Sequence, residues 1–197
     1  MESEQASIRI QKLDESIYPK FRGKVLHLYL HAFTTGAYAQ YINPERAEST
    51  LDELVRRGFG RMAFMDDRLV GLLLCHPLTY DRDFPAGDFP HIPVAKSIYI
   101  SEVMVHADDR GKGIASMMIG DLLISLPETF TDAVIRVWEK NEPALSLYRK
   151  LGFVPFYFLT QLKHHTPEET FEMKKIYLHK ILLHGEDSLL RKNNSIE

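Results

Sequence analysis

Cysteine is nearly missing. The 197 residues hold one, Cys75, so no disulfide can form within the chain and nothing points to an oxidising compartment. Cys75 lies in the apolar run LVGLLLCHPL, where a buried small hydrophobe is expected rather than a nucleophile. Long apolar runs are missing as well: none approaches the ~20 residues that span a bilayer. The opening MESEQASIRI is polar and lacks the apolar core of a secretion signal. A cytoplasmic protein with no membrane partner is therefore expected, and the sequon at Asn193-Asn194-Ser195 is read as chance. An excess of positive charge is absent too. With 24 Lys and Arg against 27 Asp and Glu, the net charge of −3 gives no electrostatic reason to expect nucleic acid. No internal repeat, low-complexity tract or linker divides the chain, so one domain over 1–197 is expected, with about 186–197 as a flexible tail. Two adjacent histidines, His164 and His165, lack further ligand-type residues at fixed spacing, so no metal is expected.

What is present is hydrophobic periodicity in alternating modes. Ser7 to Asp14 reads as a strand. Val25, Leu28, Tyr29 and Ala32 fall at helical spacing, predicting a helix to about Phe33. PERAESTLDELVRRGFG predicts a second helix, with Asn43 as N-cap, Pro44 in the first position and Gly58 as the stop. RMAFMDDRLVGLLLCHPL reads as a hairpin turning at Asp66-Asp67. The proline-containing stretch 79–96 shows no periodicity, and a long insertion of that kind is often functional. SIYISEVMVH is a strand. Ile114, Met117, Met118 and Leu122 mark an amphipathic helix. DAVIRVWE is a strand, NEPALSLYRKLGF a helix capped by Asn141 and ended by Gly152, and two strands joined by KHHTPEET close the order. The sum is a mixed α/β sheet of about seven strands with helices on its faces.

Between the strand ending at Val105 and the helix from Ile114 stands Arg110-Gly111-Lys112-Gly113. A helix N-terminus leaves its first N–H groups without partners and carries partial positive charge. Glycines there let an anion approach the backbone and permit dihedrals closed to other residues. Strand, basic glycine turn and helix are what an anionic cofactor needs, although the same pattern also serves as a plain turn. The stretch supplies neither a P-loop nor a complete dinucleotide fingerprint.

With its flanks, ISEVMVHADDRGKGIASMMI resembles the acetyl-CoA signature of the GNAT N-acetyltransferase superfamily, [QR]-x-x-G-x-[GA] after a strand ending in Val. Arg110, Gly113 and Ala115 match its fixed positions, Gly111 matches a frequent extra glycine, and Ala107 stands where a proline is common. NEPALSLYRKLGF resembles the second block of the family through Asn141, Ala144, Tyr148, Gly152 and Phe153. The resemblance implies a mostly antiparallel sheet with a V-shaped splay between the fourth and fifth strands. It implies acetyl-CoA as co-substrate, with its pyrophosphate on Arg110, Gly111, Lys112, Gly113, Ile114 and Ala115. Its pantetheine arm would run along Val103, Met104 and Val105, and Asn141 would contact it. It implies direct attack by an amine on the thioester in a ternary complex, with Tyr148 donating to the leaving sulfur.

A protonated primary amine has a pKa near ~10.4, so about one part in 10³ is free base at neutral pH. A base, a desolvated pocket or a water relay must remove that proton. Glu102, an acid in an otherwise apolar strand, is the candidate base; Glu139 and His106 are further candidates, and a relay without a single base is an alternative. In such a fold Phe33, Tyr38, Tyr41 and His164 would line the acceptor site, and Asp81, Asp83 and Asp88 would attract a cationic amine. The acceptor, a small amine or a protein N-terminus or lysine, stays open, as does a homodimer. A non-catalytic acyl-CoA sensor with the same fold is the alternative function, and a kinase or dehydrogenase a third.

Overall fold

A computed structural model describes residues 7–36 and 39–182; the expected tail at 186–197 lies outside them. The elements follow the expected order: β1 (Ile8–Leu13), α1 (Tyr18–Thr34), α2 (Pro44–Arg57), β2 (Phe59–Met65), β3 (Arg68–Pro77), β4 (Ser97–Val105), α3 (Ile114–Ser125), β5 (Asp132–Trp138), α4 (Glu142–Lys150), β6 (Val154–His164) and β7 (Thr170–Ile181). They form one seven-stranded sheet in the order β1-β2-β3-β4-β5-β7-β6. Every neighbouring pair is antiparallel except β4 with β5. Among the described residues no helix is long and apolar enough to cross a membrane.

Local chemistry sets the boundaries. Asn43 Oδ1 accepts from Arg46 N at 3.0 Å and so satisfies one of the orphan amides of α2, with Pro44 pre-set for the first turn. Asn141 Oδ1 does the same for α4 through Ala144 N at 3.3 Å. The β2–β3 hairpin turns at Asp66, whose φ is 53°, a left-handed conformation that aspartate tolerates better than most residues.

The sheet is buried on both faces by different helices. On one face α3 lays Ile114, Met118, Ile119 and Leu122 on Val70, Leu73, Cys75, Ile98 and Ile100. On the other, α1 and α2 set Val25, Leu28, Tyr29, Leu51 and Val55 against Met62, Leu72, Leu74 and Met104. Each of these larger aliphatic side chains contributes about 1.5–3 kcal/mol through burial. Cys75 is fully buried, and burial pushes its thiol up to about 12, which makes it a packing residue.

The stretch 79–96 is more ordered than its sequence suggests. Single 3-10 turns at Leu78–Tyr80 and Val94–Lys96 bracket it. Phe84 and Ile92 pack with Tyr99, Val134 and Tyr177, covering the lower part of the sheet on the α1/α2 side. It packs through scattered apolar side chains rather than a repeating face, so periodicity could not reveal it.

Two irregularities of β4 prepare the site. Its ladder with β5 runs from Ser97↔Asp132 to Ile100↔Ile135 and stops, while β4 continues to Val105 and β5 to Trp138. The strands part there, as the splay requires. Opposite β3, Leu74 pairs with Glu102 but Cys75 with Ile100, so Ser101 is an extra residue, held by a bond from its Oγ to Leu74 O at 3.1 Å. A bulge of one residue moves every later side chain to the other face. Ile98 and Ile100 below it point to α3, and so do Val103 and Val105 above it. Glu102 and Met104 therefore take the α1/α2 side, where Met104 packs.

Candidate active site

The glycine turn has the form of an anion seat. A short 3-10 turn, Ala107–Asp109, leads into it, and Gly111 and Gly113 adopt φ of 80° and 78°. The first backbone bond of α3 runs from Met117 N to Gly113 O at 3.0 Å, and no side chain caps the helix. Among the described residues, the amides from 111 to 116 thus have no backbone acceptor in the turn. A Cβ built on Gly111 or Gly113 would meet nothing within 4 Å, so the surface in front of these amides is open. Several free N–H groups at a helix N-terminus fit a diphosphate.

Arg110 and Lys112 have tasks inside the protein. Arg110 donates from Nε to Val105 O and from Nη2 to Ala32 O, both at 3.4 Å, tying the end of β4 to the end of α1. Lys112 Nζ binds Asp109 Oδ1 at 2.7 Å. Asp109, 1% exposed, also takes two bonds from Arg68, at 2.7 and 3.1 Å. These bonds, with Arg68 first, outweigh burial and hold its carboxyl down to about 2. Asp109 was missed from sequence; its only signal was an acid directly before a basic glycine turn. Asp109→Asn leaves Arg68 and Lys112 without a charged acceptor. The variant is expected to lose about 1–3 kcal/mol at neutral pH in urea unfolding. The folded carboxyl lies below its unfolded value, so this contribution is present above about pH 4 and fades as pH falls through the folded pKa near 2. Wild type and variant should converge in acid.

Above the end of the ladder, the edge of β4 facing β5 is unpaired through Val103, Met104 and Val105, while its other edge stays bonded to Leu73, Leu72 and Gly71 of β3. An extended ligand can pair with such an edge as an added strand would. Tyr148 is buried, 6% exposed, within the α3-side core, with its ring 6.3 Å from that of Phe153. Burial, then the charge of Glu102, pushes its phenol well above the ordinary range, so it stays a proton donor at physiological pH. Glu102 has no hydrogen-bond or ion-pair partner among the described residues and is half-buried. Desolvation raises its carboxyl well above the usual carboxylate range; Lys175, Lys163 and Arg136 pull it back only in part.

The other base candidates differ. Glu139 pairs with Lys174 at 3.4 Å. His106 stacks on His31 with ring centroids 4.0 Å apart, beside the turn, and its buried Nδ1 has no hydrogen-bond partner among the described residues.

The expected acceptor-side residues are only partly gathered. Tyr41 N donates to His164 O at 2.8 Å, joining the segment between α1 and α2 to the end of β6. Phe33 is half-buried against Tyr29, 4.8 Å between centroids. Tyr38 lies outside the described residues. Asp81 and Asp83 do not stand free to attract an amine: Tyr177 OH donates to Asp81 at 2.6 Å, and Asp83 accepts from Arg136 at 2.9 Å and from Gln161 at 2.7 Å. Sequence reasoning also missed Arg136, Lys163 and Lys175, which share the face of Glu102. Lys174-Lys175 did carry a signal, since adjacent residues of a strand point to opposite faces and one of them must point inward. Among the described residues no group of three or more His, Cys, Asp or Glu side chains could hold a metal ion.

Comparison with known proteins agrees with this geometry. Residues 22–153 match the profile of the acetyltransferase (GNAT) family. No curated protein matches the chain. Among solved structures, an N-acetyltransferase from Staphylococcus aureus Mu50 superposes with a TM-score of 0.64 at 17% identity, over 90% of this chain and 99% of that one. The ribosomal-protein-S18-alanine N-acetyltransferase from Escherichia coli gives 0.62 at 14%, over 92% and 98%. A putative acetyltransferase from Salmonella typhimurium, solved with its cofactor acetyl-CoA, gives 0.64 at 13%, over 91% and 96%. At such identities the structures speak for the fold alone. The profile match spans the splay, the open glycine turn and the helix of Tyr148, and on that basis the chain belongs to the GNAT acetyltransferase family.

Proposed function

We propose that the chain is an acetyl-CoA-dependent N-acetyltransferase in which acceptor amine and acetyl-CoA are bound together. The observation that carries this reading is the open row of amides at 111–116, next to a strand edge left unpaired by the splay. Acetyl-CoA supplies an activated acyl thioester. The amides around Gly111 and Gly113 hold the diphosphate, and the free edge at Val103 to Val105 aligns the arm. Glu102 faces the acceptor side because of the bulge at Ser101. Its raised carboxyl is matched to taking a proton from an amine near neutral pH. Tyr148 keeps its proton and supplies a hydrogen bond to the departing sulfur. Backbone donors near Val105 stabilise negative charge on the acyl oxygen.

The test is calorimetric titration with acetyl-CoA, followed by thiol release over an amine panel. Tight acetyl-CoA binding with amine-dependent thiol release is expected. Binding without release by any amine supports a sensor module instead, and failure to bind overturns the reading altogether. Tyr148→Phe should bind acetyl-CoA with unchanged affinity yet lower kcat about 10–100-fold. An unchanged kcat would return Tyr148 to a packing role.

A further inference from the structure

The structure assigns a chemical class to the acceptor: we infer that it is a small molecule carrying a carboxylate close to its amine, with the carboxylate held by Lys163 and Lys175 and the amine turned to Glu102. This rests on the transferase reading above.

Strand register puts the groups on one face. Lys163 pairs with Phe171, Gln161 with Met173, Leu159 with Lys175 and Tyr157 with Tyr177. Alternation then places Lys163, Gln161, Lys175 and Tyr177 on the same side. Arg136 stands opposite Tyr177 on β5, and the bulge brings Glu102 to that side as well. These side chains form a polar floor. The stretch 79–96 closes it below through Phe84 and Ile92, and the bond from Tyr41 N to His164 O closes it at the end of β6.

The cations on this floor are treated differently. Arg136 is paired through Nη1, with Asp83 at 2.9 Å, Asp81 at 3.8 Å and Tyr177 OH at 2.8 Å. Lys163 and Lys175 are half-buried, and among the described residues no carboxylate lies within 4.0 Å of either ammonium. Burial pulls both below the ordinary lysine range, and Glu102 opposes this in both. Charged groups withdrawn from water without a partner are costly. The fold meets that cost for the arginine and leaves it unmet for the lysines. Gln161 donates from Nε2 to Asp83, which fixes its amide, and its Oε1 is buried without a donor.

Pairing selects the ligand. Neither ammonium has a carboxylate in contact, and Glu102 and Asp83 act on both only from a distance. An acceptor presenting a free-base amine and one carboxylate brings one negative charge. Lys163 and Lys175 can each give it a charge-assisted bond, and Gln161 Oε1 is an acceptor for the amine N–H. A plain alkylamine would add no anion and leave the lysines bare. At a polypeptide N-terminus the neighbouring carboxyl is tied up as an amide, so an amine with a free carboxylate close to it points to a small molecule.

The experiment compares thiol release for matched acceptors: a set of amino acids, the corresponding carboxamides, the decarboxylated amines, and short peptides. Amino carboxylates are expected to exceed their carboxamides in kcat/KM by about tenfold or more. In Lys163→Met and Lys175→Met this ratio should fall towards one through a rise in acceptor KM, and Lys163→Arg should restore part of it. Acetyl-CoA affinity by calorimetry, measured on each variant, reports that the fold is intact. Carboxamides or peptides equal to or better than amino carboxylates would overturn the assignment while leaving the transferase intact. So would variants that lower all acceptors alike. No thiol release from any acceptor, with acetyl-CoA bound, would instead remove the transferase reading and this assignment with it.

Discussion

Gly113→Glu is expected to lower the affinity for acetyl-CoA by at least about 100-fold, read by calorimetry. Gly113 has a φ of 78°, and a residue with a Cβ pays about 1–2 kcal/mol to remain there. Nothing lies within 4 Å of the position its Cβ would take, so the new side chain is not rejected by packing. It enters the open ground before the amides of α3 and brings a negative charge to the diphosphate seat, reversing an interaction worth up to ~2 kcal/mol at a helix N-terminus. Together these effects reach about 3 kcal/mol, or about 100-fold. Gly113→Ala separates the two causes, since it carries the strain alone and should lose about tenfold. Gly87→Ala, at a glycine equally free of neighbours but without positive φ, should lose nothing. Undiminished binding by Gly113→Glu would show that the diphosphate sits elsewhere.

Glu102→Gln is expected to reduce kcat about 100-fold, with acetyl-CoA affinity preserved. Its pH dependence is the sharper readout. Only the ionised carboxylate accepts a proton, and desolvation moves that ionisation well above the usual carboxylate range. The rate should therefore rise with pH along a limb lying clearly above the ordinary glutamate value of ~4.3. In the Gln variant that limb should vanish from the kcat profile. Lys163, Lys175 and Arg136 act on the same carboxyl and hold it lower than burial alone would. Lys175→Met should consequently move the limb further up in pH. If Glu102→Gln keeps both the rate and the limb, proton removal proceeds through a water relay.

Much of this architecture is legible in the order of the residues, for identifiable reasons. Asn43, Asn141, Gly58 and Gly152 mark helix ends because caps and stops use a few residue types at fixed offsets. The turn at Gly111 and Gly113 is legible because only glycine takes its dihedrals cheaply. The bulge at Ser101 left no such mark. One extra residue in an apolar, β-branched strand changes neither composition nor length detectably, yet it decides which face receives Glu102. The polar floor was hidden for a related reason. Lys163, Lys175 and Arg136 come from three strands, and each looks locally like a residue of a solvated face. Only the register of β5, β7 and β6 brings them together. Asp81 and Asp83 misled in the opposite sense, because acids in a loop look free until the fold supplies Tyr177, Arg136 and Gln161 as their partners.

The odd residue in β4 also divides the strand into halves of opposite parity. Below Ser101 even-numbered side chains serve α3, and above it odd-numbered ones do. Absorbing Ser101 into a regular ladder, with every residue kept, would restore uniform parity. It would drive the carboxylate of Glu102 into the hydrocarbon packed beneath α3 and swing Val103 out among the lysines. Excising Ser101 would not: Glu102 would then follow Ile100 directly and still face away from α3, so the placement of this carboxylate tolerates loss of the extra residue but not its entry into the ladder.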